Sequence, residues 1–259
     1  MKIAVLLKSV PDTASVLKIG ADKKSFRIDD LKYIMNPYDE YALEEAVKLK
    51  ESEGGEVIAL SLGDDNAKKV IRCALAVGAD RAILVEEPKV DNLSSKGVSK
   101  ILAAVLESIS PDIIFAGKQA VDEDSSQVPE RVAEILDISH ASAVTRLAVK
   151  DTKAEVDRDI EGGHLTLEIQ LPALFTIEKG INTPRYPTLP NIMKAKRKEI
   201  REMTVADLGL NDDEFQSGLT VEAISLPRQE RHAKILNGNI ESQIKELIFI
   251  LREEKIALF

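Results

Sequence analysis

The chain has 259 residues, of which 44% are hydrophobic and 31% are charged, and its formal net charge is −9. This length allows one large domain or a domain with appendages, and the composition is typical of a soluble globular protein with a proper core. The acidic balance argues against a general nucleic-acid or anionic-membrane binder, and the single cysteine, Cys73, excludes an internal disulfide, a zinc finger and iron–sulfur ligation within the chain.

The first predicted element is a buried strand at residues 3–7. Its apolar run is too short for a signal sequence or a membrane span, and the chain contains no uninterrupted run of about 18 apolar residues. We therefore expect a cytoplasmic protein without membrane insertion.

Short apolar strands then alternate with helical patterns. The predicted strands are 56–61, 81–85 and 112–116. A first helix is predicted to begin within residues 36–40, where Asn36 or Asp39 is available as the cap. Three further helices are predicted at 66–77, 94–108 and 127–136. Continuous Val/Ile/Leu strands that are each followed by a helix predict a parallel sheet covered on both faces. Segments 6–13, 36–40, 61–66 and 117–128 are then expected at the carboxyl edge of the sheet, where ligands bind.

The pattern changes after about residue 140. Alternating residues at 154–158 and 164–170, separated by Glu161-Gly162-Gly163, predict an antiparallel hairpin. A buried strand is predicted at 171–177, and three prolines exclude a long regular element from the first half of 180–198. Residues 210–230 are predicted to form a loop, and residues 239–254 an amphipathic helix.

Six collinear motifs carry a resemblance to a known family. They are MNPYD at 35–39, ADRA at 79–82, GKQAVD at 117–122, VDRDIEGG at 156–163, LPAL at 171–174 and NTPRYPTLPNIMKAK at 182–196. Together they resemble the beta subunits of electron-transfer flavoproteins, from residue 1 to about residue 210. The resemblance implies a Rossmann-like α/β fold of the adenine nucleotide alpha hydrolase-like type, with a mostly parallel sheet, helices on both faces, a small antiparallel hairpin and a C-terminal arm.

The same resemblance implies an organisation and a function. Residues 1–210 would form a nucleotide-binding domain that includes a recognition loop at 181–198, and residues 211–259 an arm that contacts a larger alpha subunit. The alpha subunit would hold most of the electron-carrying FAD. The chain would be a carrier subunit rather than a catalyst, accepting electrons from an acyl-CoA or similar dehydrogenase of fatty acid beta-oxidation and passing them to a quinone-linked oxidoreductase.

Two alternatives remain open at this point. In ordinary family members the beta subunit contains AMP, whereas in electron-bifurcating members it contains a second FAD and the complex oxidises NADH. Val128-Pro129 stands where AMP-type members commonly have Thr-Gly. The other alternative, from a different class, is a free-standing adenine-nucleotide sensor or hydrolase, which would need neither recognition loop nor arm. We predict no catalytic residue and no metal site.

By resemblance, the nucleotide is bordered by residues from all four edge segments: Leu6, Asn36, Pro37, Tyr38, Asp39, Leu62, Gly117, Gln119, Ala120, Val121, Asp122, Asp124, Ser125, Ser126, Gln127 and Val128. Segment 117–128 would hold the phosphates on exposed N–H groups at the start of a helix. Read without the resemblance, 117–128 is an acidic solvated turn, 36–39 is ordinary helix capping, and the two leucines are core residues at strand ends.

The remaining candidates concern the partner and the flavin. By resemblance, Leu189 is the anchor of the recognition loop, with Pro190, Ile192 and Met193 beside it, while the residues alone also allow a core position. Thr13 and Arg158 are placed near the flavin. For Arg158 and Arg185 the alternative is a salt bridge with Asp157, Asp159 or Glu161. Lys194, Lys196, Arg197 and Lys198 form a basic cluster, and His140, His164 and His232 receive no role.

Overall fold

The computed structural model describes residues 1–27, 31–88, 90–210, 215, 218–226 and 233–253. The chain divides into two compact units, Met1–Glu222 and Ala223–Phe259. Two residues named in the sequence analysis lie outside the described residues. They are His232, which received no role, and Glu254, the predicted end of the C-terminal helix.

The regular elements are eleven strands and six α-helices among the described residues. The strands are β1 Lys2–Leu6, β2 Ser9–Pro11, β3 Tyr33–Met35, β4 Glu56–Gly63, β5 Arg81–Glu86, β6 Ile113–Gly117, β7 Ser139–Lys150, β8 Lys153–Ile160, β9 Gly163–Gln170, β10 Ala173–Ile177 and β11 Ile200–Thr204. The helices are α1 Pro37–Glu53, α2 Asp65–Val77, α3 Ser95–Ile109, α4 Val128–Ile135, α5 Leu189–Ala195 and α6 Ile240–Glu253.

One large sheet organises the first unit. Its strand order is β11-β5-β4-β1-β6-β10-β7-β8-β9. The neighbours from β11 to β7 are parallel, whereas β7–β8 and β8–β9 are antiparallel. The predicted Rossmann-like α/β class and its antiparallel hairpin are therefore confirmed. Strands β2 and β3 form a separate antiparallel pair.

The core lies in two layers, one on each face of the sheet. Leu43 of α1 and Ile71 of α2 belong to one layer, and Ile101 of α3 and Val132 of α4 belong to the other. Local signals set the helix starts: the Asp64 side chain accepts a hydrogen bond from the Asn66 N–H at the start of α2, and Ser94 does the same for α3. Parallel strands covered on both faces explain the continuous apolar runs of the sequence.

Several elements were not predicted. The long strand β7 alternates buried and exposed residues only weakly, and β2, β3 and β11 are too short for a clear period. Helix α5 begins one residue after Thr188, whose side chain accepts a hydrogen bond from the Asn191 N–H, and Pro190 lies in its first turn. Proline is tolerated there because the first N–H groups of a helix have no partner within the helix.

The second unit contains α6, which confirms the predicted C-terminal helix. None of its described residues is buried, and four exposed apolar side chains lie along one stripe: Ile240, Ile244, Leu247 and Ile248. No helix in the described part of the chain is long and apolar enough to cross a membrane.

Candidate functional site

The predicted nucleotide segments meet at one edge of the sheet. β1 lies between β4 and β6 and runs parallel to both, so their carboxyl ends coincide. Leu6 is the last residue of β1, Leu62 is the penultimate residue of β4, and Gly117 is the last residue of β6. The two leucines are buried, which fits both a core position and the wall of a site.

Asp39 ties three segments together at this edge. It is 5% exposed, and its Oδ2 accepts a 2.7 Å hydrogen bond from the backbone N–H of Lys8. Its Oδ1 accepts bonds from the Gly117 N–H at 3.0 Å and from Asn36 Nδ2 at 2.9 Å. The carboxylate therefore fixes the ends of β1 and β6 relative to the start of α1.

Asn36 extends this connection to the loop after β6. Its Nδ2 also donates to the carbonyl oxygen of Gln119 at 2.9 Å, and its Oδ1 accepts from the N–H of Val121 at 3.2 Å. Asn36 occupies the N-cap position of α1, but its side chain makes no capping hydrogen bond. Neither Asn36 nor Asp39 acts as the predicted side-chain cap, because both side chains face the loop from β6 instead. Pro37 and Tyr38, between them, form the first turn of α1.

Burial strongly perturbs the acidity of Asp39. Loss of solvation raises the pKa of this carboxyl to about 7, against the opposing hydrogen bonds from Lys8, Asn36 and Gly117. Asp39 therefore changes its protonation state near neutral pH, at the position where the three segments meet.

Gly117 provides the space for this arrangement. A Cβ atom at this position would lie 2.4 Å from Asp39 Oδ1 and 2.6 Å from the Cβ of Tyr38. Such distances are far below van der Waals contact. A glycine is thus required for the close approach of β6 to α1.

The acidic residues of the loop after β6 have polar partners. Lys8 Nζ lies 2.9 Å from Asp122 and 3.3 Å from Glu123, and Gln119 Nε2 donates to Asp124 at 2.8 Å. Burial lowers the pKa of Lys8, but attraction to the two carboxylates outweighs that effect and the net pKa is raised. Asp122, Glu123 and Asp124 are nevertheless exposed, so the loop also agrees with the alternative of an acidic solvated turn.

The loop then enters α4 through an unusual backbone conformation. Asp124 and Ser126 have positive φ angles of 49° and 48°, which costs on the order of 1 kcal/mol or more for each residue. Gln127 is the N-cap of α4 and makes no side-chain capping hydrogen bond. Its Oε1 accepts from Arg131 instead. The first N–H groups of α4 are thus left without a side-chain cap, as an anion site requires.

The other predicted residues of this loop lie along the same stretch. Ala120 and Val121 lie in the turn after β6 and are partly exposed, Ser125 and Ser126 are exposed, and Val128 begins α4 and is partly exposed. The structure therefore brings segments 36–39 and 117–121 into direct contact, while the exposed Ser125 and Ser126 extend from the same loop.

Arg158 lies in the same row of the sheet as Gly117. Gly117 is opposite Ile177, Ile177 is opposite Val144, and Val144 is opposite Arg158. Three strand spacings separate the two residues, which corresponds to about 14 Å. Arg158 Nε is buried and has no hydrogen-bond partner among the described residues.

The salt bridges considered for the two arginines are not the ones found. Asp157 pairs with Arg146, and Asp159 pairs with His164. Arg185 pairs with Glu44 and Glu51 of α1, so the predicted partners for Arg185 are wrong. The sequence places these acids about 140 residues before Arg185, and no local pattern connects them. Thr13, the other residue expected near the flavin, is exposed in the turn after β2.

The predicted partner residues share an exposed surface on α5. Leu189 is 79% exposed and Met193 60% exposed; Pro190 and Ile192 are exposed beside them. A core position for Leu189 is therefore wrong. The basic cluster is divided, because Lys198 Nζ donates to the carbonyl oxygens of Leu75 and Ala79 at the end of α2, whereas the side chains of the other three cluster members remain exposed.

Sequence reasoning missed Lys8, Glu44 and Glu51. The signal for Lys8 was its position directly after a buried strand, at the edge where ligands collect. Glu44 and Glu51 are seven residues apart and therefore lie on one face of α1. That spacing was available in the sequence, but their common partner was not.

The chain is similar over most of its length to one family of known proteins. Residues 26–208 match the model of the electron transfer flavoprotein domain. The chain is 39% identical over 255 residues to the electron transfer flavoprotein subunit beta of Bacillus subtilis, covering 98% of both chains. It is 40% identical to the mouse subunit beta, covering 86% of this chain and 88% of that protein, and 37% identical to the mitochondrial subunit beta of Arabidopsis thaliana, covering 98% of both.

Proposed function

The chain belongs to the electron transfer flavoprotein family, and the relatives that it matches are beta subunits. From that premise we propose that it is the beta subunit of a heterodimeric electron carrier, with AMP bound at the carboxyl edge of its sheet. Its partner is a larger alpha subunit that holds the FAD. The heterodimer accepts electrons from an acyl-CoA or similar dehydrogenase of fatty acid beta-oxidation and delivers them to a quinone-linked oxidoreductase.

One observation carries the nucleotide assignment. Asn36 and Asp39, at the start of α1, fasten the end of β6 and the loop after it to the end of β1 through five hydrogen bonds of 2.7–3.2 Å, one of which joins the two side chains to each other. That loop leads into an α4 whose first turn has no side-chain cap. A loop fixed this way, ending at a helix N-terminus with free N–H groups, suits a phosphate.

The residues of the loop fit a phosphate once their charges are balanced. Lys8 offsets Asp122 and Glu123 through its ion pairs. At the start of α4, Val128 and Pro129 offer no hydroxyl and Pro129 has no N–H, so the remaining backbone N–H groups and the exposed Ser125 and Ser126 are the donors. A ligand with a single phosphate makes the smallest demand on this set.

FAD supplies reversible electron transfer when it is bound by the complex. The contribution of this chain is electrostatic and positional. The unpaired Nε of Arg158 offers a buried donor and a positive charge to an anionic group. Leu189 and its neighbours on α5 offer an apolar surface to the dehydrogenase. Residues 211–259, which include α6 with its exposed apolar stripe, are the arm that binds the alpha subunit.

The cofactor content of the purified heterodimer tests the proposal. We expect one FAD and one extractable AMP for each pair of subunits, measured by flavin absorbance and by chromatography after denaturation. Two FAD and no AMP would replace the proposal by the electron-bifurcating alternative, for which NADH should then reduce the complex. A stable chain that binds adenine nucleotide without flavin or partner would indicate the free-standing sensor or hydrolase instead.

Leu189→Ala should impair docking of the dehydrogenase. The exposed side chain stands on a helix of seven residues, and an interface anchor of this kind is worth on the order of 2 kcal/mol, or roughly thirtyfold in affinity. We expect the KM for the heterodimer to rise by that order in steady-state reduction by a purified acyl-CoA dehydrogenase, with unchanged flavin content.

Ile135→Ala is the matched control for this change. Ile135 is a 48% exposed apolar residue at the end of α4, away from the recognition loop in sequence. Its replacement should leave KM unchanged. Equal KM values for wild type and Leu189→Ala would show that α5 is not the docking surface.

A further inference from the structure

The recognition loop, residues 181–198, has apolar anchors only at its ends. Ile181 packs against the core, and Ala195 is buried within it. Between them Tyr186, Leu189 and Met193 are exposed, with Tyr186 at 93%. Hydrophobic burial therefore does not set the path of the segment that carries the proposed docking residues.

Arg185 provides the strongest polar anchor of this loop. Its Nε and Nη2 donate to the two carboxylate oxygens of Glu44 at 2.9 and 3.0 Å, and its Nη1 and Nη2 donate to those of Glu51 at 2.6 and 2.9 Å. Its backbone N–H donates to Glu44 as well, at 3.1 Å. Two bidentate contacts on one helix fix both the position and the orientation of the guanidinium plane.

Charge and burial show that the contact is more than a surface ion pair. The Glu44 side chain is 6% exposed, while those of Arg185 and Glu51 are 35% and 54% exposed. The hydrogen bond from Arg185 lowers the pKa of Glu51. Glu44 thus has its charge balanced almost entirely by Arg185, because a buried carboxylate requires a partner.

Two further contacts reinforce this arrangement. Asn182 Nδ2 donates to the Tyr41 carbonyl oxygen and to Glu45, both at 2.9 Å, so a second residue of the loop is tied to α1. At the other end, Arg72 Nη1 of α2 donates to the carbonyl oxygens of Ala195 and Lys198 at 2.9 and 2.6 Å. The exposed docking residues lie between these two polar attachments.

We infer that Arg185 is a positioning residue for partner docking: by clamping the recognition loop to Glu44 and Glu51 of α1, it holds Leu189 and its neighbours in the conformation that the dehydrogenase binds. This inference rests on the proposed docking role of the loop. A segment ordered in advance loses less conformational entropy on binding, so the clamp contributes to affinity without touching the partner.

The test uses the heterodimer with its co-expressed alpha subunit. Arg185→Gln alone leaves Glu44 buried without its charge partner, so the principal variant is the double change Arg185→Gln with Glu44→Gln, which removes both charges together. Arg185→Lys is the conservative variant. Arg81→Gln is the matched control, because Arg81 makes a bidentate pair with Glu56 at 2.9 Å between strands β5 and β4.

Hydrogen exchange reports on the clamp directly. In the double variant we expect amide exchange in peptides covering 182–196 to accelerate by roughly tenfold or more, since local opening becomes easier. Exchange there should be unchanged in Arg81→Gln and intermediate in Arg185→Lys, whose ammonium cannot form both bidentate contacts. Unaltered exchange of this segment in the double variant would overturn the inference, whatever the partner proves to be.

Kinetics then separates docking from electron transfer. With a purified acyl-CoA dehydrogenase we expect the double variant to raise the KM for the heterodimer by roughly tenfold with kcat and flavin content nearly unchanged. Loss of flavin, or a lower kcat at constant KM, would contradict a positioning role in docking. If Leu189→Ala leaves KM unchanged while exchange in 182–196 responds to the clamp, the proposed docking surface fails and the clamp stands.

Discussion

Replacing Gly117 by alanine is expected to abolish nucleotide binding and to destabilise the first unit. The added Cβ would lie 2.4 Å from Asp39 Oδ1 and 2.8 Å from the backbone carbon of Tyr38. Neither neighbour is the end of a flexible chain: Asp39 is fixed by three hydrogen bonds and Tyr38 is the second residue of α1. The collision must therefore displace either β6 or the start of α1.

Two costs add in this variant. Overpacking of a filled site costs roughly 1–3 kcal/mol, and a buried carboxylate that loses the Gly117 N–H costs about 1–3 kcal/mol more. We expect a loss of about 3 kcal/mol in the free energy of unfolding, measured by circular dichroism in urea, because the chain contains no tryptophan. AMP should be absent from the purified variant, since displacement of the loop moves its N–H donors.

Gly163→Ala is the control for this substitution. Gly163 begins β9, and a Cβ atom there would have no heavy atom within 4 Å. The change should alter stability by less than about 0.5 kcal/mol and should leave the AMP content unaltered. Wild-type stability and full AMP content in Gly117→Ala would show that the contact between β6 and the start of α1 can adjust without loss of unfolding free energy. The proposed nucleotide site would then lie elsewhere.

The sequence was sufficient to predict the elements that have a strong period. The strands that became β1, β4, β5 and β6 have apolar centres because both faces of the sheet are covered, and the helices α2 and α3 have clear caps at Asp64 and Ser94. Strand β7 was missed because most of its residues are only partly buried or exposed, so no run of apolar residues marks it. Helix α5 was missed because the prolines of segment 180–198 suggest a loop. Pro190 lies in the first turn of the helix, where proline is tolerated.

The polar contacts of the site could not be predicted from local pattern. Asn36 and Asp39 have the side chains and the position of helix caps, and that interpretation was physically sound. Their actual partners, Gly117 and Gln119, are about 80 residues away, and only the parallel pairing of β1 with β6 brings them close. The same is true of Arg185 and α1. Where the loops would meet was therefore predictable, whereas which atoms would meet was not.

Replacing Asp39 by asparagine is expected to destabilise the protein in a manner that depends on pH. An asparagine side chain offers one acceptor oxygen and one NH₂ group, so at least one of the three donors, such as the Lys8 N–H, would face another donor. The unsatisfied buried groups should cost about 2–4 kcal/mol and loosen the loop that Asn36 and Asp39 hold.

The pH dependence follows from the acidity of Asp39 in the folded state. Burial raises its pKa to about 7 from an ordinary value of 3.8, so the folded protein binds a proton more tightly than the unfolded chain. The stability that this group contributes is complete below pH 3.8 and is lost as the pH rises through 7. The difference in unfolding free energy between wild type and Asp39→Asn should shrink by about 2 kcal/mol from pH 5 to pH 7 and level off above about pH 8.

Asp207→Asn separates this effect from the general titration of the protein. The hydrogen bond from the Thr204 N–H lowers the pKa of Asp207, so Asp207 is ionised throughout this range and its difference curve should be flat between pH 5 and pH 7. A difference curve for Asp39→Asn that is equally flat between pH 5 and pH 7 would mean that the three donors keep the Asp39 carboxylate ionised in the folded protein. The Asp39 side chain would then be a fixed anion that the Lys8 N–H, the Gly117 N–H and Asn36 Nδ2 bind throughout this pH range.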